Sequence, residues 1–249
     1  MNQILEIREC TTFDELAACV DLQREVFALP EVELSPVRHL IVTKNAGGFI
    51  LGAFDGSELI GFVLSVPAFL RGEPAIYSHM TAVKAAYQSY GIGAKLKWAQ
   101  RTRALSEGIK TIKWTFEPWK ARNAYFNLEK LGAVAVEYQP NFYGIDYGSA
   151  ELDGKPIGLA SDRLFAEWPL ESEKVLALAA GEKHTETRTP KANIIVTPDW
   201  AELLAADVEA ALVEQERLKK EFGTAIEKGL IAGGFIRDAN EPRYLLFER

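Results

Sequence analysis

The stretch Val83-Lys84-Ala85-Ala86-Tyr87-Gln88-Ser89-Tyr90-Gly91-Ile92-Gly93-Ala94 leaves an apolar strand and enters a helix, and its reading decides the rest of the chain. Glycines at 91 and 93 let the backbone turn tightly, so that successive N–H groups can converge on one anion. A helix starting there adds the positive end of its dipole and its unpaired first-turn donors. The segment reads as a phosphate cradle, with an ordinary glycine-marked helix start as the plainer alternative. Two commoner phosphate loops are excluded. A dinucleotide fingerprint requires a third glycine three residues after Gly93, where Leu96 stands, and in a Walker loop the last glycine directly precedes the lysine, whereas Ala94 separates Gly93 from Lys95.

The flanks give the cradle a setting. Pro74 to Val83 has strand character, and Ile92, Leu96, Ala99 and Leu105 are spaced as one helical face, with Lys95, Lys97, Arg101 and Arg103 expected on the surface. Gly108 is the expected helix stop. Lys110 to Glu117 then alternates Ile112, Trp114 and Phe116 with polar residues until Pro118. Strand, turn, helix, strand implies a parallel pair with a right-handed crossover.

At this point the chain resembles the GNAT superfamily of acyl-CoA transferases. Gln88-Ser89-Tyr90-Gly91-Ile92-Gly93 matches that family's Arg/Gln-x-x-Gly-x-Gly/Ala loop, and Asn127-Leu128-Glu129-Lys130-Leu131-Gly132-Ala133 is similar to its helix-to-strand ending. Arg122 to Asn127, with Asn141-Phe142-Tyr143-Gly144 downstream, resembles a branch of predicted acetyltransferases. The motifs span about residues 75 to 144. The implied architecture is a mixed α/β sheet of GNAT type over 1–170, with 171–249 as a C-terminal helix and β-hairpin extension that packs on the core or forms a dimer interface.

The resemblance implies acetyl-CoA, or another acyl-CoA, as co-substrate, an amine as acceptor, and no metal. Two parallel strands splaying beyond Val83 and Glu117 would leave backbone groups that the pantetheine arm can satisfy. The pyrophosphate would lie on the amides of Gln88, Ser89, Tyr90, Gly91, Ile92, Gly93 and Ala94. An N–H near Ala82 or Val83 would polarise the thioester carbonyl, and Asn123 would reach the arm or the acceptor, unless it caps the helix at Ala124. Attack by an amine needs a base. Glu117, at the carboxyl end of its strand, is the first candidate and His79 the second; His39 and His184 have no supporting context. Where many members of the family carry a tyrosine as general acid this chain has Leu128, so Tyr125, Tyr138 and Tyr143 are the substitutes, with Tyr143 preferred. A non-catalytic CoA-binding or assembly protein is the alternative reading.

Composition is compatible with this. At 249 residues the chain can bury a sizeable core, and 48% hydrophobic with 25% charged residues is ordinary for a globular protein. A formal charge of −7 argues against a nucleic-acid surface. Cys10 and Cys19 show neither a zinc spacing nor a disulfide framework. The N-terminus lacks the order of a signal peptide, and the apolar run Leu59 to Leu70 is short for a membrane span and interrupted by Pro67, so the cytoplasm is the expected compartment. Trp114, Phe116, Trp119, Phe126 and Phe142 are expected to be core more than acceptor pocket.

Elsewhere, Met1 to Cys10 reads as a strand, and Asp14 to Ala28 as a helix capped by Thr11 or Thr12. Another helix should start near Ser35 and Pro36, with the serine as cap and the proline in the first turn. Gly48 to Phe54 and Glu58 to Pro67 flank Asp55-Gly56-Ser57, a hairpin signal. Ala133 to Tyr138 and Arg163 to Leu170 read as strands, and Gly181 to Lys191 as a linker or loop. One long helix is predicted over Asp199 to Ile226, with a Glu216/Lys220 pair, followed by a hairpin of Leu230 to Arg237 and Arg243 to Glu248.

Overall fold

The computed structural model describes residues 5–145, 151–152 and 155–249. Compactness divides the chain into one unit ending at Lys113 and another beginning at Trp114. The first opens with strand β1 (Leu5–Glu9) and helix α1 (Phe13–Phe27). Thr12 caps α1 and Glu15 returns the bond to the Thr12 backbone, a reciprocal capping box. The N–H groups of Thr12 and Thr11, with Arg8 at 2.6 Å, hold the Glu15 carboxyl down at about 2. Helix α2 (Val37–Asn45) starts differently from the expectation. Pro36 is the residue before the helix, and Ser35 does not cap it. The buried amide of Gln23 instead accepts from the Ser35 N–H and donates to the Ser35 carbonyl, at 2.8 and 3.1 Å.

Strands β2 (Phe49–Asp55), β3 (Glu58–Leu70) and β4 (Glu73–Val83) form the expected antiparallel meander, with β1 beside β2. Helix α3 (Ile92–Ser106) and strand β5 (Thr111–Phe116) follow, and β4 pairs with β5 in parallel at Ile76↔Ile112 and Tyr77↔Lys113. Helices α1 and α2 cover an apolar core that includes Leu16, Val20, Leu40, Ile50, Phe54, Phe62 and Leu64. Cys10 and Cys19 lie in it as free thiols with sulfurs 4.0 Å apart; contact with the Cys10 sulfur, then burial, pushes the Cys19 thiol up.

Two features of this unit position the site. The β3–β4 register runs Leu64↔Met80 and then Ser65↔Ser78, so His79 is the extra residue of a β-bulge. The buried face of α3 is Ile92, Leu96, Lys97, Gln100 and Ala104, whereas Ala99 and Leu105 are only half-buried. Lys97, expected on the surface, is 4% exposed. Hydrogen bonds from Lys97 and Gln100 to sheet serines turn the helix onto this face, and apolar spacing alone cannot register such partners.

The second unit contains α4 (Ala121–Tyr125), a π-helical turn over Phe126–Lys130, β6 (Val134–Gln139), the two-residue strands β7 (Glu151–Leu152) and β8 (Lys155–Pro156), and β9 (Arg163–Pro169). Helix α5 (Glu173–Ala179), β10 (Ala192–Ile195), α6 (Trp200–Ala206), α7 (Val208–Glu227), β11 (Leu230–Ile236) and β12 (Arg243–Glu248) complete it. Its main strands are ordered β9-β6-β11-β12-β10. The hairpin β11–β12 forms as predicted, with a bulge at Gly233. The single long helix does not. Asp207 is extended at φ −154°, ends α6 and caps α7 by accepting from the Ala210 N–H, because a short carboxylate competes well for free helix donors. Glu216 pairs with Lys219 at 3.0 Å instead of Lys220. Strand β10, which the sequence reading did not anticipate, is only four residues long and pairs with β12. Among the described residues no helix is long and apolar enough to cross a membrane.

Candidate active site

The turn between β4 and α3 has the properties of an anion cradle. Ser89 and Gly91 both take left-handed backbone, at φ 70° and 76°, and Gly91 precedes α3 without any side-chain cap. Among the described residues, none of the N–H groups from Ser89 to Ala94 finds an acceptor within the protein; the first bond of the helix is Lys95 N–H to Gly91 O, at 3.0 Å. A Cβ on Gly91 or on Gly93 would meet no heavy atom within 4 Å. Gly93 is helical, so neither its backbone nor its packing requires glycine, which in a helix costs about 0.5–1 kcal/mol relative to alanine. Six unpaired donors in one turn, with room beside its two glycines, suit a group with several anionic oxygens, and a pyrophosphate fits these residues.

Side chains before the turn fix its course. Gln88 Nε2 donates to the Val83 carbonyl at 3.1 Å, Tyr87 Oη to Asp55 at 3.0 Å, and Lys84 Nζ to Glu58 at 2.6 Å. Gln88 therefore closes the loop with its side chain, and its own N–H is taken by the Ala85 carbonyl at 3.2 Å, so contrary to expectation Gln88 is not one of the free cradle amides. Tyr90 is 75% exposed, Ile92 is buried and Ala94 is half-buried.

Register separates the two candidate oxyanion donors. The Lys84 N–H bonds to Ile60 O on β3 at 2.9 Å, and alternation along an antiparallel ladder then points Ala82 toward β3 and Val83 away from it. The bond from Gln88 to the Val83 carbonyl agrees with this orientation. Val83 thus presents its backbone to the side that β3 does not occupy.

His79, at the bulge, is exposed on one side, yet enough protein surrounds the imidazole that desolvation, with repulsion from His39 second, lowers its pKa from the ordinary value. Beneath the bulge lies a group that the sequence reading missed. Lys97 Nζ donates to Ser78 Oγ at 2.9 Å, and burial pulls its pKa down to about 7. A lysine between Leu96 and Trp98 in a basic helix reads as solvated, so the sequence carried no signal for it.

The second unit gathers Glu117 and Tyr143 around Arg163. Glu117 is 2.5 Å from Lys120 Nζ and 3.9 Å from Arg163. The Arg163 guanidinium lies 5.1 Å from the centre of the Tyr143 ring, and Tyr143 Oη is 3.3 Å from Thr115 Oγ1. Asn123 is exposed on α4; Lys120 occupies the cap position there, so Asn123 is not the cap. Leu128 is buried in the π-helical turn. Of the other tyrosines, Tyr138 donates to Asp162 at 2.5 Å, with burial and then that carboxylate pushing its pKa up, and Tyr125 lies beneath Lys130 and Arg237. Trp114, Phe116 and Trp119 are core, whereas Phe142 is 42% exposed.

Known proteins carry the same fold. An N-acetyltransferase from Staphylococcus aureus Mu50 superposes with a TM-score of 0.53 at 14% identity, covering 68% of this chain and 99% of that one. The ribosomal-protein-S18-alanine N-acetyltransferase from Escherichia coli gives 0.51 at 16% identity, over 68% and 96%. A GNAT family acetyltransferase from Elizabethkingia anophelis, with acetyl-CoA bound, gives 0.50 at 16% identity, over 68% and 100%. No curated protein matches the chain in sequence. The family model described as Acetyltransferase (GNAT) family matches residues 14–133, a span that includes the meander, the bulge, the cradle and α3. Residues 14–133 thus match the model of the GNAT acetyltransferase family, and the mixed α/β fold is the one that solved GNAT proteins carry.

Proposed function

We propose that this protein transfers an acyl group, most simply acetyl, from coenzyme A to an amine by direct attack in a ternary complex. The observation that carries this reading is the row of unpaired N–H donors from Ser89 to Ala94, with room at Gly91 and Gly93, inside the span that matches the GNAT family model. These donors hold the pyrophosphate. The Val83 N–H, in preference to that of Ala82, polarises the thioester carbonyl, and Asn123 contributes from the exposed face of α4.

His79 is lowered toward its neutral form, which suits removal of a proton from an ammonium acceptor, directly or through water. Glu117, whose charge is shared with Lys120 and Arg163, is the alternative base, and Tyr143 donates toward the departing sulfur. Acid–base help is worth roughly 10²–10⁴ in rate, while positioning reaches effective molarities of about 10⁵–10⁸ M, so orientation on the cradle carries most of the acceleration. The pairing of β11 with β6 supports reading 171–249 as an extension packed on the 1–170 domain; native mass tests a homodimer. The cytoplasm is the compartment consistent with this reading.

Calorimetry with acetyl-CoA, followed by thiol release over a broad panel of amines, tests the proposal. Absence of binding to any acyl-CoA would sink it. The buried Leu128 in place of the family's usual tyrosine favours a second reading, a non-catalytic CoA-binding protein. Turnover that disappears in His79→Gln or Glu117→Gln while CoA affinity persists would decide for catalysis.

A further inference from the structure

Helix α3 turns two polar side chains into the core where leucine or methionine would pack more cheaply. Lys97, one turn beyond Gly93, donates to Ser78 Oγ at 2.9 Å; Gln100, one turn further, donates to Ser65 Oγ at 2.8 Å. Ser65 and Ser78 are register partners on β3 and β4, immediately before the bulged His79. The four side chains form a buried polar ladder of two rungs, from the cradle helix to the base of the bulge. The ladder is costly. Lys97 is a buried amine whose charged form is desolvated, and Gln100 Oε1 is buried without a partner among the described residues, each a penalty that an apolar side chain avoids. A buried polar contact of this kind stabilises less than it specifies, because only one axial placement and one rotation of the helix satisfy both rungs.

We propose that Lys97 and Gln100 are positioning residues that fix the span between the phosphate-binding turn at the head of α3 and the acyl-binding end of β4. The inference rests on the function proposed above and adds to it the device that sets the donor's register. A ligand gripped at both ends gains affinity only when the two grips are held at its own length, as in any bidentate attachment. Loosening the ladder should therefore weaken a ligand that spans both ends and spare one that occupies the cradle alone.

Two probes separate these effects: acetyl-CoA, which spans both, and 3′-phospho-ADP, which carries the pyrophosphate and no pantetheine arm. Calorimetry on Lys97→Met is expected to show acetyl-CoA binding weakened at least tenfold and 3′-phospho-ADP binding unchanged. Ser78→Ala removes the same rung with a smaller change, and is expected to show the same selective loss if Lys97→Met does not fold. Unchanged acetyl-CoA affinity, or an equal loss for both probes, overturns the positioning role. Wild-type protein that binds neither probe overturns the underlying function and this inference together, which distinguishes the two failures.

Discussion

Gly93→Val separates what the glycine does for the fold from what it does for a ligand. Valine is a better helix former than glycine by a few tenths of a kcal/mol, and apart from the adjoining residues and the helix's own backbone no heavy atom lies within 4 Å of the Cβ position, so the fold should barely register the change. The melting temperature is expected to stay within about 2 °C of wild type. The isopropyl group would instead stand in front of the unpaired amides. Displacing a bound pyrophosphate from two of them loses about 1.5–3 kcal/mol each, or about 10²–10⁴-fold in acetyl-CoA affinity. The family pattern accepts alanine at this position, so Gly93→Ala is the control, with slightly raised stability and little loss of affinity. Calorimetry with acetyl-CoA and thermal unfolding read the two quantities separately. Wild-type affinity in a folded Gly93→Val protein would refute the cradle, and a fall in melting temperature of several degrees would refute the open space.

Three further outcomes are expected. Lys97 has a folded pKa near 7 against an ordinary 10.5, so between those values the unfolded chain binds the extra proton and stability rises with pH. Urea unfolding should show wild type gaining on Lys97→Met by up to roughly 5 kcal/mol from pH 7 to 10.5, at 1.36 kcal/mol per unit, and a constant difference would contradict the depressed pKa. Glu15 is depressed to about 2 from 4.5, so its contribution is present above pH 4.5 and fades as pH falls toward 2. Glu15→Gln should cost about 1 kcal/mol at neutral pH and converge with wild type in acid; a gap that persists at pH 2 would count against the capping box. If His79 is the base, the acidic limb of kcat/KM lies below the ordinary imidazole value and vanishes in His79→Gln with acetyl-CoA affinity unchanged. Survival of that limb would assign the proton to another group.

What the sequence disclosed depended on whether the signal was local. The tight turn at Gly91, the Asp55-Gly56-Ser57 hairpin, the Gly108 stop and the Thr12 cap each arise from a few adjacent residues whose backbone preferences decide the geometry, and all of them were legible. The features that escaped involve distant partners. Lys97 and Gln100 face inward because Ser78 and Ser65 meet them from other elements, and periodicity treats a lysine as solvated whatever lies opposite. Asp207 breaks a helix that apolar spacing alone would continue. At the candidate site the left-handed turn and the uncapped start of α3 could be read from adjacent residues, whereas the β-bulge at His79 and the pairing of Glu117 with Lys120 and Arg163 belong to the folded sheet and loops.

The order β9-β6-β11-β12-β10 has a consequence for biosynthesis. Strands β6 and β9 leave the ribosome early, but β6 acquires its neighbour on the other side only when β11, nearly a hundred residues later, has been made. Until then β6 presents an open ladder of backbone donors and acceptors, the kind of edge that recruits foreign strands. The first unit, whose strands follow one another closely in sequence, can close vectorially, while the second must wait for its last hairpin. Nascent chains halted before β11 should therefore depend on chaperones and be the species most prone to aggregate.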